Sequence, residues 1–198
     1  MKLYWCPRTR SSRVLWMLGE LDQPCELVKI DLRDPAAQET PGFREASPMG
    51  KVPALEDGPV RVADSAAICL YLADRYGAGR LAPAIDAAER GRFLYWMFFS
   101  PSAMEPAMAE KMGGWQTNTQ AYGWGDFQRM IGTLESGLGE GPWLFGEQFT
   151  AADVMVGSTA AFMRLFKILP DSSRINAYVD RCLDRPAYRD ALARDEAA

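Results

Sequence analysis

The apolar positions of the first 76 residues change period several times, and each change marks an element. Residues 2–6 form a short, β-prone run, and across 11–21 Val14, Leu15, Leu18 and Leu21 recur at helical spacing. Residues 25–30, entered from Pro24, return to a strand pattern with Leu27, Val28 and Ile30 as its apolar members. A strand, a helix and a second strand in that order favour a parallel pair joined by a right-handed crossover. Residues 32–51 are rich in Pro, Gly, Ser and charge and predict an irregular loop. Two more short strands, 52–55 and 60–62, flank Glu56-Asp57-Gly58-Pro59, which predicts a hairpin turn. Asp64 then opens a helix that carries Ile68, Leu72 and Tyr76 on one face.

The pattern shifts at Gly77. Residues 77–86 predict a linker, and no strand pattern follows it. Helical periodicity instead covers roughly 87–112, 118–138, 150–168, 172–184 and 187–194. Pro101 and Pro106 fall inside the first of these and should kink or interrupt it. Thr150 and Asp153 have the spacing of a capping box, with Phe149 and Val154 as a hydrophobic staple, so a helix start is expected there. The order of elements predicts an α/β domain over 1–76 that resembles thioredoxin in type, then an all-α domain over 87–198.

Composition narrows the chemistry. A chain of 198 residues is long enough for two modest domains with real cores. Its net charge of -4 argues against a nucleic-acid partner, and the acidic excess falls after the balanced first eighty residues. Cys6, Cys25, Cys69 and Cys182 are widely spaced, form no C-x-x-C pair and predict reduced thiols. The start MKLYWCPRTR has no apolar run of signal-peptide length, and no stretch is long enough to span a membrane. A cytoplasmic protein is expected. Histidine is absent, which removes Ser-His and Cys-His catalysis and most zinc sites, so no metal is expected.

Three segments of the first domain carry candidate chemistry. In Gly50-Lys51-Val52-Pro53-Ala54-Leu55, a proline enters a strand. A cis Val52-Pro53 bond would turn the Val52 backbone outward toward an extended peptide ligand, whereas a plain trans proline would only start the strand. At Ala63-Asp64-Ser65, a helix N-terminus with a hydroxyl can hold a carboxylate and Asp64 can accept from an ammonium group, or Asp64 can simply cap the helix. The loop Cys6-Pro7-Arg8-Thr9-Arg10-Ser11-Ser12-Arg13 gathers a thiol and hydroxyls beside another helix N-terminus, or is a polar connection with serine caps.

In their order and spacing, YWCPRTRSSRVLW, GKVPAL, ADSAAICLYLADRYG and FTAADVMV make the chain similar to the cytosolic glutathione S-transferase superfamily along essentially its whole length. The resemblance implies a thioredoxin-like domain that binds glutathione and an all-α domain that takes a small electrophile. It implies that Val52 clamps the cysteinyl backbone with Pro53 in cis, that Asp64 and Ser65 bind the γ-glutamyl end, and that Lys51 reaches the glycine carboxylate. It also implies a homodimer in which the first domain of one subunit meets the helical domain of the other.

For the group that meets the glutathione sulfur, the alternatives stay open. Counted back from Arg13-Val14, Thr9 stands where theta- and delta-like members carry a serine, with Ser11 and Ser12 nearby. Cys6 stands where omega-like members carry a nucleophilic cysteine, which would mean disulfide exchange in place of conjugation. A transferase-like protein that binds without turnover is a third possibility. Tyr4 lies within the first strand and is expected in the core. The electrophile pocket is expected beside the first long helix of the second domain, where Trp96, Phe99, Met104, Met108 and Met112 concentrate, with Trp115 and Trp124 bordering it. Met104, Met108 and Met112 share one face, a stripe that could adapt to apolar ligands but is more often core.

Overall fold

The computed structural model describes residues 1–197. Its strands are β1 (Lys2–Trp5), β2 (Glu26–Lys29), β3 (Ala54–Asp57) and β4 (Val60–Ala63), in the spatial order β2-β1-β3-β4. β1 pairs parallel with β2 and antiparallel with β3, and β3 and β4 form the expected hairpin. The hairpin turn is shorter than the sequence suggests. Glu56 and Asp57 stay in the strand, and Gly58, at φ 58°, opens a turn of only two residues.

Period-two alternation explains what each face of this sheet carries. Tyr4 lies opposite Val28 and Ala54, and Ala54 opposite Ala63; these four share an apolar cluster with Ile30 and Phe43. Leu3 and Leu55, one residue out of phase, are fully buried on the other face. There α4 (Ser65–Tyr76) packs on β3 and β4, and α1 (Ser11–Leu21) packs on α4.

Residues 32–51 are more ordered than their composition predicts. They contain α2 (Pro35–Gln38) and α3 (Pro41–Ala46), each with a proline in its first turn, where the missing N–H costs nothing. Asp34 accepts from Ala36 N–H at 2.9 Å to cap α2, and Phe43 of α3 is fully buried with its ring 5.5 Å from that of Tyr4.

The chain divides into two compact units, one of residues 1–77 with the residues from Arg185 onward, the other of Ala78–Asp184. The expected second domain runs to the end of the chain, whereas in the structure the last helix, α10 (Pro186–Glu196), joins the first unit and lies along α1. Gly19 permits the approach, since a Cβ there would come within 3.2 Å of Ala187 Cβ.

The second unit is helical, but two of the expected helices are shortened or broken. The pattern over 87–112 resolves into α5 (Arg90–Phe99), a π-helical turn (Ser100–Met104) and α6 (Glu105–Gly113), because Pro101 cannot donate to the helical ladder. In the 118–138 pattern only α7 (Phe127–Gly137) is helical. Asp126 caps it by accepting from Arg129 N–H at 2.7 Å. The glycine-rich residues before it form turns tied to Glu110, which accepts from Trp124 Nε1 at 2.6 Å and from the Thr117 hydroxyl. α8 (Ala151–Leu165) is the buried centre of the unit, and α9 (Ser173–Asp184) packs on it. Among the described residues no helix is long and apolar enough to cross a membrane.

Asp153 organises the start of α8. It accepts from Thr150 N–H at 2.9 Å and the Thr150 hydroxyl at 3.2 Å, from Leu144 N–H at 3.0 Å and from the Tyr178 hydroxyl at 3.1 Å. Burial pushes its carboxyl up to about 6 despite these donors. The folded protein therefore holds a proton on Asp153 at pH values where the unfolded chain, with a pKa near ~3.9, has lost it. The stability this contributes is complete below about pH 4 and is lost as pH rises through about 6, a difference on the order of 3 kcal/mol. In urea titrations at stepped pH, Asp153→Asn should lack that slope while losing about 1–3 kcal/mol near pH 7, since its amide N–H would face the Thr150 donors. Equal slopes in the two proteins would refute the assignment.

Candidate functional site

Strand register brings the candidate segments to one end of the sheet. Tyr4 pairs with Ala54 in antiparallel sense, so the residues after β1 and those before β3 leave the sheet at the same end. Ala54 pairs with Ala63, which sends the residues after β4 to that end as well. The loop from Cys6, the Val52-Pro53 turn and the Asp64-Ser65 helix start thus converge.

The loop from Cys6 to Arg10 is tied together by its own hydroxyls. Thr9 donates to Cys6 C=O at 2.6 Å and its oxygen accepts from Ser11 N–H at 3.2 Å. The Thr9 and Ser11 oxygens are 3.0 Å apart, Ser11 Oγ accepts from Cys6 N–H at 3.4 Å, and Ser12 donates to Thr9 C=O at 3.0 Å. Ser11 is fully buried, so its hydroxyl serves this network; Cys6 and Thr9 are half-buried. Arg8, between them, is held at φ 60°.

Cys69 and Cys182 are buried, whereas Cys6 and Cys25 are both partly exposed. Burial pushes Cys25 up to about 11 and Cys69 to about 12, and Cys182 is enclosed in the helical unit. Cys6 lines a cavity of about 660 Å³ with Pro7, Arg8, residues 29–33 and Asp195, and Cys25 lines a smaller one of about 220 Å³. Tyr4 is core, as its position in the strand suggests. Its hydroxyl donates to Glu56 at 2.8 Å, and burial followed by that bond raises it to about 12.

The Val52-Pro53 bond is cis, Val52 is half-buried, and Lys51 is exposed. The buried Ser47 shapes this turn, accepting from Lys51 N–H at 2.9 Å and donating to Lys51 C=O at 2.7 Å. At the start of α4, Asp64 caps the helix through Ala66 N–H at 2.8 Å, from a backbone at φ 75° and ψ 130°. Ser65 Oγ accepts from Arg13 Nη1 at 3.0 Å, and a serine that accepts one bond retains its own proton to donate.

Ser47 and Arg13 are contributors that sequence reasoning did not single out. Arg13 is 1% exposed and puts a cation directly under the α4 N-terminus, adding to the positive helix end. Its signal is an arginine on the apolar side of an otherwise apolar helix, in phase with Met17. Ser47 carries no comparable signal within its Pro- and Gly-rich surroundings.

The expected electrophile residues belong to the second unit. Trp96 and Phe99 are buried and stack edge-on at 5.0 Å, and a Cβ on Gly137 would lie 2.1 Å from the Trp96 ring. Met104 is fully buried, Met108 half-buried and Met112 exposed, so the methionine stripe runs from core to surface, from the end of the π-helical turn into α6. Trp115 is exposed, and Trp124 stacks on Tyr122 at 4.6 Å.

Comparison with known proteins adds an independent finding. The family model described as glutathione S-transferase, N-terminal domain, matches residues 3–80, and that for the C-terminal domain matches 81–181. Glutathione S-transferase 3 of Schizosaccharomyces pombe is 28% identical, over 98% of this chain and 87% of its own. The disulfide-bond oxidoreductase YfcG of Escherichia coli is 28% identical over 77% of this chain and 75% of its own. Among solved structures, a ternary complex of BphK, a bacterial GST, superposes with a TM-score of 0.82 at 26% identity, covering 99% of this chain and all of that one. A glutathione transferase from Methylococcus capsulatus gives 0.79 at 28% identity.

The two residues at the start of α4 should respond oppositely to substitution. Ser65→Ala takes an acceptor from a buried guanidinium and should cost about 1–3 kcal/mol in urea denaturation. Asp64→Gly loses a cap worth only a few tenths of a kcal/mol relative to glycine but relieves a positive φ, and should be neutral or stabilising by up to about 1 kcal/mol. Equal losses from both would mean that neither the buried bond nor the strained backbone was read correctly.

Proposed function

Because the chain belongs to the glutathione S-transferase family, we propose that it binds glutathione at the shared end of its sheet and conjugates it to small electrophilic molecules. The observation that supports this most is the convergence, through strand register, of the three segments with suitable chemistry. Val52 lies just before the cis proline with backbone N–H and C=O for an extended peptide, and Lys51 provides a cation for the glycine carboxylate. Asp64 and Ser65, above Arg13, suit the paired charges of the γ-glutamyl end.

The chemistry needs a thiolate but no base. A free thiol with a pKa near ~8.5 is only about 3% ionised at neutral pH, and lowering that by two units takes about 2.7 kcal/mol. A hydroxyl donated to the sulfur supplies ~1.5–3 kcal/mol, and the α1 N-terminus adds a fraction more. Thr9 is the residue we assign to this, its proton turning from Cys6 C=O to the sulfur, while the buried Ser11 holds the Thr9 oxygen in place. The electrophile is assigned to the helical unit, whose Trp96, Phe99, Met104 and Met108 grade from core packing to the partly exposed Met108. In this reading the protein works in the cytoplasm as a homodimer, and Met49, at 81% exposure, offers apolar surface for a partner subunit to cover.

A second reading is favoured by the Cys6 cavity and by the similarity to a disulfide-bond oxidoreductase. The Cys6 thiolate would attack a glutathione mixed disulfide, taking the glutathionyl group and releasing the other half as a thiolate. A free glutathione thiolate would then attack the Cys6-glutathione bond, releasing oxidised glutathione and restoring Cys6.

Conjugation of a chloronitrobenzene and reduction of hydroxyethyl disulfide separate the two. Thr9→Ala should lower kcat for conjugation about tenfold to a hundredfold, the rate equivalent of the lost hydrogen bond. Disulfide reduction abolished in Cys6→Ser, with conjugation only at trace level in the unaltered protein, would establish the second reading instead. Absence of glutathione binding at millimolar concentration by calorimetry would overturn both.

A further inference from the structure

The last helix ends against the reactive loop. α10 runs antiparallel to α1 in the first unit, with Arg185 beside Glu20, Ala187 against Gly19 and Tyr188 edge-on to Trp16 at 5.0 Å. From Tyr188 to Asp195 is two helical turns, about 10 Å. That distance carries Asp195 past the first turn of α1, where its Oδ2 accepts from Arg8 N–H at 2.8 Å. The carboxylate is 5% exposed and shares the wall of the Cys6 cavity.

Arg8 is the residue that needs such a partner. Its φ of 60° is a conformation that side-chain-bearing residues avoid, and no glycine stands there to adopt it freely. The conformation directs the Arg8 N–H at α10 and sets the path from Cys6 C=O to the Thr9 hydroxyl that donates to it. We infer that Asp195 is a positioning residue for the reactive loop, holding Arg8 N–H so that Cys6 and Thr9 keep the geometry in which they face glutathione. The inference rests on the assignment of that loop to glutathione chemistry. It adds a control element 187 residues distant in sequence, on a helix that supplies none of the assigned ligand contacts.

Two readouts test it, one of which needs no glutathione. The first is the rate at which iodoacetamide alkylates Cys6, followed by peptide mass spectrometry on the full chain. Asp195→Ala should raise this rate at least threefold, because the loop loses the acceptor that anchors Arg8 N–H. Asp195→Asn, which keeps an oxygen to accept from Arg8, should stay within twofold of the original protein. The second readout is conjugation, where Asp195→Ala should lower kcat about tenfold with KM for glutathione within twofold, and Asp195→Asn should recover most of kcat. An unchanged alkylation rate in Asp195→Ala overturns the inference whatever the conjugation activity. So does an Asn variant as impaired as the Ala variant, or a kcat loss that only follows a lowered melting temperature. If neither the original protein nor any variant turns over glutathione, the proposed function fails, and the alkylation rates alone decide whether Asp195 positions the loop.

Discussion

The pairing of Tyr4 with Val28 on one side and Ala54 on the other decides where every candidate group of the first unit can be. Side chains alternate along a strand, so a slip of one residue would exchange the cluster around Phe43 for the face that meets α4. Leu3 and Leu55 would then lose their buried positions, and Tyr4 its bond to Glu56. The same register sets which ends of the strands coincide. Packing on both faces of a four-stranded sheet therefore places Cys6, Val52 and Ser65 together, although no apolar contact was needed between those three.

Histidine's absence becomes consistent with the site once its electrostatics are laid out. No imidazole stands at the shared sheet end, and beside the carboxylates of Asp64 and Asp195 several elements there favour a negative charge. The start of α1 faces the loop, Arg13 lies buried under the start of α4, and the hydroxyls of Thr9, Ser11 and Ser12 are already oriented by the loop backbone. Helix ends, a buried guanidinium and hydroxyls can stabilise an anion without taking its proton, which suits a thiol that is already partly ionised in water. The buried thiols make the same point from the other side, since Cys69 is near Arg13 and burial still pushes it up to about 12. A cation alone does not make a thiolate when water is excluded.

What could be read from the sequence follows the range over which the signals act. The βαβ unit, the hairpin and the start of α8 rest on neighbouring residues, and periodicity or capping patterns reveal them. The helices α2 and α3 were hidden because the prolines that suggest a loop are also the residues tolerated in a first helical turn. The helix expected from residue 118 shortens to Phe127–Gly137 because Glu110, in another element, takes the Trp124 indole and the Thr117 hydroxyl and holds the segment as turns. Cys6, Thr9, Val52 and Ser65 could be nominated as candidates from their local settings. Which hydroxyls are spent on the loop, and that Arg13 supports Ser65, depended on tertiary contacts that no local pattern carries.

The path of α10 is the extreme case, and one ion pair accounts for its placement. Its sequence, PAYRDALARDE, has a weak apolar face and could pack in several registers on a helix such as α1. Glu20 is nearly buried and also accepts from Trp16 Nε1 at 2.8 Å, so its carboxylate is costly to bury unless Arg185 meets it with both nitrogens, at 2.5 and 2.6 Å. Such a pair adds little net stability, because desolvation consumes most of the attraction, but any other register would leave a buried charge uncompensated. It therefore acts as a selector. With Arg185 fixed on Glu20, helical rise alone determines that Asp195 arrives at Arg8, and the last turn of the chain comes to complete the loop that follows its first strand.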